Sequence, residues 1–114
     1  MGCDLYFCEE LIAFRFSHPD ITIEAAIPCP DQAKLWKKDQ QSRYEILLQQ
    51  CDIRTICSPQ YDSQCMLRRD RYMVDHSRRL IAVFNGTPGG TMKTVAYALQ
   101  AKLELIRLDP DDLI

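Results

Sequence analysis

The chain has 114 residues, 46% of them hydrophobic and 26% charged, with a formal net charge of −2. That length suits one domain around one core, residues 1–114, and the composition is that of an ordinary soluble globular protein. The charge balance excludes any global attraction to nucleic acid or anionic membrane, and no apolar run approaches the ~18 residues of a membrane span.

The first predicted element is a helix, "CDLYFCEELIAFRF", with Leu5, Cys8, Leu11 and Ile12 at helical spacing before the turn "SHPD". "ITIEAAI" is β-branched and short, bounded by Asp20 and "PCP", and reads as a strand. "KKDQQSRYEILLQQC" returns to helical period, with Tyr44, Leu47, Leu48 and Cys51 on one side. "DIRTIC" is a short strand stopped by "SPQ". "CMLRRDRYMVDHS" is helical, with Met66, Arg69 and Met73 sharing a face. "LIAVF" is a continuous apolar strand, the kind buried on both faces of a parallel sheet. A helix from Thr91 to Lys102 and the strand "LELIRL" complete the pattern.

The order αβαβαβαβ predicts an α/β fold, a Rossmann-like parallel sheet with flanking helices. A doubly wound domain usually opens on a central strand. This chain opens on a helix preceded only by "MG", so it is expected to be the C-terminal part of a larger fold.

Six cysteines (Cys3, Cys8, Cys29, Cys51, Cys57, Cys65) are many for this length. With no CxxC, and with His18 and His76 far from a zinc spacing, they are expected to be reduced, mostly buried thiols of a cytoplasmic protein. No metal, no cofactor and no secretory leader are expected.

Two stretches carry candidate chemistry. "NGTPGGTMKT" joins a strand to a helix, where ligands bind in open α/β sheets. Gly89 and Gly90 lack Cβ, so backbone N–H groups can approach an anion, and the helix start adds unpaired N–H groups. Thr91 either caps that helix or donates its hydroxyl to a phosphate. The stretch is not a Walker A loop, because Lys93-Thr94 follows Met92 instead of glycine, nor is it a G-x-G-x-x-G fingerprint. The plain alternative is a tight turn that needs glycine only for its φ values. "RRDRYMVDHSRR" places Arg68, Arg69, Arg71, Arg78 and Arg79 on one helix and its exit. Most suit a solvated face with pairs such as Arg71 and Asp75; one could meet an anion bidentately.

"AAIPCPDQAKLW", "SRYEILLQQCD", "CMLRRDRYMVDHS" and "LIAVFNGTPGGTMKTV" resemble, in order and over nearly the whole chain, the YpsA-like family of the bacterial SLOG superfamily, which has a Rossmann-like fold. "MGCDLYFCEEL" is similar to the family's segment after its second strand. The resemblance implies that the first two strands of the family fold and their glycine-rich loops are lacking. The same superfamily holds the Lonely Guy phosphoribohydrolases, whose arginine helix and "PGG-x-GT-x-x-E" loop are similar to "MLRRDRYM" and "PGGTMKT". By position Arg69 matches their catalytic arginine, Gly90-Thr91 their glycine–threonine pair, and Thr94 their glutamate. Threonine cannot supply a carboxylate's charge or its acid–base chemistry. Asp70 stands where YpsA-like proteins have asparagine.

The resemblance therefore implies a non-catalytic protein that binds a nucleotide or a related phosphorylated small molecule. Arg69, Asn85, Gly86, Thr87, Gly89, Gly90, Thr91 and Thr94 are its expected ligand-binding residues. The alternatives are a nucleoside-monophosphate phosphoribohydrolase and a protein-interaction scaffold. Unpaired strand edges favour a homo-oligomer. DNA-processing protein A belongs to the same superfamily, but this acidic chain lacks a basic groove with stacking aromatics, so nucleic acid is not the expected partner.

Overall fold

The computed structural model describes residues 3–113. Met1 and Gly2, part of the segment compared with the family's helix-opening motif, lie outside them. The elements alternate as α1 (Cys3–Arg15), β1 (Glu24–Ile27), α2 (Lys38–Gln50), β2 (Ile53–Ile56), α3 (Cys65–Asp75), β3 (Arg79–Val83), α4 (Gly90–Gln100) and β4 (Glu104–Leu108). A short 3₁₀ turn, Pro110–Leu113, follows. The α/β class, the αβαβαβαβ order and the parallel pairing agree with the sequence, consistent with a Rossmann-like fold. Among the described residues β1 pairs with β2 and β3 pairs with β4, both parallel. Contacts along the chain divide at Tyr61 and Asp62 into two units.

In the first unit β1 and β2 run in register from Glu24–Ile53 to Ile27–Ile56. Tyr44, Leu47 and Leu48 are the buried side of α2, as their i, i+3, i+4 spacing predicts. Tyr44 and Leu48 meet Ile27 of β1 in a small core, with Leu5 and Trp36 packed on its rim. The loop after β1 is tied to α2 by side-chain amides: Gln32 donates to the Tyr44 hydroxyl, and Gln41 donates to the carbonyls of Ala33 and Lys34. Arg15, the last residue of α1, donates to the Gln50 carbonyl at the C-terminus of α2 (2.9 Å) and to Asp52 (2.8 Å). A cation there satisfies an orphan carbonyl and suits the helix dipole. Asp52 also accepts the Ile23 N–H at 2.8 Å, which fixes the entry to β1.

In the second unit α4 lies against β3, β4 and α3. Its buried residues are Val95 and Ala98. Ala82 of β3 is buried, but its neighbour Ile81 is 46% exposed, so "LIAVF" is not covered on both faces. Strand side chains alternate between faces, and here the two faces are unequally covered. On α3 the buried residues are Cys65 and Val74, while Met66 and Met73 stay more than 40% exposed. The inward line runs from Cys65 through the half-buried Arg69 and Asp70 to Val74, because those two charges find partners there.

The helix predicted to reach Lys102 ends at Gln100. Lys102 has φ +63, its N–H donates to the Leu99 carbonyl, and the Leu103 N–H donates to the Ala98 carbonyl. That is a Schellman termination with lysine in the position glycine usually takes.

Candidate phosphate-facing turn

The strand-to-helix turn between β3 and α4 is built from its backbone. The Phe84 N–H donates to the Leu108 carbonyl at 3.0 Å, extending the β3–β4 ladder by one bond before the chain leaves it. Asn85 Oδ1 then accepts the Thr87 N–H at 3.1 Å, a side-chain turn of the kind asparagine favours. Gly86 has φ +92 and Gly89 has φ +154, values that L side chains rarely adopt. These two glycines are required by the fold.

Gly90 is different. It is the first residue of α4, has no positive φ, and a Cβ built on it meets nothing within 4 Å. Nothing among the described residues asks for glycine there. Gly89 stands at the N-cap without a side-chain cap, so the first N–H groups of α4 are not satisfied by a capping side chain. Thr91 is exposed and is not the cap.

Thr94, one turn further, has both the Gly90 carbonyl and Asp70 Oδ2 at 3.0 Å from its hydroxyl, whose single proton they share. Asp70 Oδ1 accepts from Arg69 Nε at 2.7 Å. Arg69, Asp70 and Thr94 thus form one chain of hydrogen bonds that ties the middle of α3 to the first turn of α4. The guanidinium and the carboxylate are each about one-fifth exposed. The structure therefore brings Arg69 and Thr94 together through Asp70, while Asn85, Gly86, Thr87, Gly89, Gly90 and Thr91 line the exposed turn.

Sequence reasoning missed Arg107 and the part that Asp70 plays. Arg107, near the end of β4, lays its guanidinium over the Phe84 ring, 4.7 Å from the centroid. Its Nη2 lies 3.4 Å from where a Cβ on Gly86 would be. The available signal was a lone cation at the C-terminal end of the strand "ELIRL". Asp70 was visible as a charge but not as the link between the two helices. Arg71 and Asp75 do not pair with each other as expected; both engage Tyr97, whose hydroxyl donates to Asp75 and whose ring lies beneath Arg71. That carboxylate raises the Tyr97 hydroxyl above its usual range.

With this geometry in place, the sequence profile described as the YspA SLOG family matches residues 1–113. The chain belongs to the YpsA family of SLOG proteins. Among its relatives is the "Uncharacterized SPbeta prophage-derived protein YoqJ" of Bacillus subtilis (strain 168), 29% identical over 125 residues. That match covers 97% of this chain and 73% of YoqJ. UPF0398 proteins of Bacillus thuringiensis (strain Al Hakam) and Bacillus cereus (strain Q1) are each 25% identical over 107 residues. Those matches cover 92% of this chain, which spans 58% of the length of either relative. No helix among the described residues is long and apolar enough to cross a membrane.

Proposed function

We propose that the turn from Asn85 to Thr94, with Arg69, binds the phosphate of a nucleotide or nucleotide-derived small molecule and does not cleave it. The observation that carries this reading is Gly90: a glycine with no conformational need, placed where the first N–H groups of an uncapped helix open outward. Backbone approach to an anion is the use that remains for it. Arg69 gives its Nε to Asp70 and keeps its two Nη groups for phosphate oxygens. Asn85 spends its oxygen on the Thr87 N–H, leaving its NH₂ to donate to a ribose or base.

Thermal unfolding with AMP as the probe tests the reading. AMP in the millimolar range raises the midpoint of the wild-type protein, and Arg69→Ala removes most of that rise. No rise with AMP or the other nucleoside monophosphates, or an equal rise in the variant, contradicts it.

Asp70 favours a second reading. Its carboxylate lies 3.0 Å from the Thr94 hydroxyl, so a carboxylate stands beside the position that the Lonely Guy enzymes give to glutamate. Both its oxygens already accept hydrogen bonds, one from Arg69 and one from Thr94. Asp70 is thereby committed to joining Arg69 and Thr94 within the protein. Prolonged incubation with AMP is expected to release no adenine; free adenine, lost in Asp70→Asn, would replace the binding reading with phosphoribohydrolase activity.

A further inference from the structure

We propose that Cys8 and Cys51 are a redox modification site, forming a reversible disulfide when the protein meets a small-molecule disulfide such as oxidised glutathione. Their sulfurs lie 3.9 Å apart although the residues are 43 positions apart in sequence. Cys8 sits in the middle of α1, and Cys51 is the residue on which α2 ends. Both are half-buried thiols.

Closing the bond brings the sulfurs from 3.9 Å to about 2.05 Å. The motion falls where the chain can give. Cys51 has left helical geometry, with φ −74 and ψ 144, and its thiol donates to the Leu47 carbonyl at 3.4 Å. Arg15 already clasps the end of α2 at Gln50 and Asp52, so α1 and the Cys51 region are held together before any oxidation. Burial first, then Cys51 and Glu9, push the Cys8 thiol up to about 11, so at neutral pH it keeps its proton.

The chemistry balances with the oxidant named. One of the two thiols loses its proton to solvent and attacks one sulfur of oxidised glutathione, giving a mixed disulfide and one glutathione thiolate. The other thiol then loses its proton and attacks the protein sulfur of the mixed disulfide, expelling the second glutathione thiolate. Two protein thiols give up two electrons to the oxidant, and their two protons pass through solvent to the two glutathione thiolates. The product links α1 to the end of α2 and restricts the unfolded first unit.

The test treats the full chain with oxidised glutathione, blocks remaining thiols, and maps disulfides by peptide mass spectrometry. A Cys8–Cys51 crosslinked peptide is expected, with a midpoint raised by about 10 °C and restored by dithiothreitol. Cys8→Ala is expected to stop at a glutathione adduct on Cys51. Glutathione adducts on both cysteines without a crosslink, a crosslink through any other cysteine, or disulfides joining two copies of the chain would each overturn the proposal. The wild-type map decides the matter even if the variant fails to fold.

Discussion

Gly86 and Gly90 stand four residues apart in one turn, yet the fold needs only the first. At φ +92 an alanine at position 86 is strained by its own backbone, and its Cβ also presses on the Arg107 guanidinium. Gly86→Ala is expected to lower stability by about 1–2 kcal/mol in urea unfolding, most of it backbone strain, because the arginine can swing aside. An unchanged midpoint would contradict that assignment. Asp52 makes a prediction of another kind. The Ile23 N–H, and then the Arg15 guanidinium, hold its carboxyl below the usual carboxylate range. A depressed folded value means the stabilisation is fully present above the unfolded value of about 4 and fades as pH falls through the lower folded value. The midpoint difference between wild type and Asp52→Asn is therefore expected to stay constant from pH 5 to 7 and shrink below about pH 4. A difference that held steady down to pH 2 would show that the carboxylate's charge is not what Asp52 contributes.

The elements show how position within the chain separates strong signals from weak ones. α2 was legible up to Gln50, because Tyr44, Leu47 and Leu48 mark a buried face by spacing; Cys51, expected on the same side, has already left the helix. α3 was legible as a helix but not in its orientation. Met66, Arg69 and Met73 share a face by spacing, yet the two methionines stay exposed while Arg69 and its neighbour Asp70 turn inward to meet Thr94. No periodicity rule anticipates that, since the partner lies 24 residues away. Which strands pair was illegible for the same reason: hydrogen bonding between strands is not written in either strand alone. Of the site, the turn was readable from its glycines, while Arg107 could be placed only once the β3–β4 register was known. The end of α4 hides a further cost. Lys102 takes a left-handed conformation that glycine adopts without a Cβ penalty. Lys102→Gly is expected to stabilise the protein by about 0.5–1 kcal/mol in urea unfolding. A loss of stability would mean the lysine side chain contributes more than its backbone costs.

For the molecule as a whole, a net charge of −2 offers an anionic ligand no long-range attraction. Any affinity for a phosphate must come from short-range donors, which on this reading are the opening of α4 and Arg69. Membership of the YpsA family gives the chain its relatives, and it spans only part of their length. The binding proposal therefore rests on this turn's own geometry. Gly90→Ala isolates it, because alanine meets no neighbour and suits a helix better than glycine. The decisive measurement sets nucleotide affinity by calorimetry beside urea unfolding for wild type and Gly90→Ala. The account predicts stability unchanged or raised by up to about 1 kcal/mol, with AMP bound at least tenfold more weakly. AMP bound equally well by both proteins would show that the missing Cβ at position 90 serves no ligand.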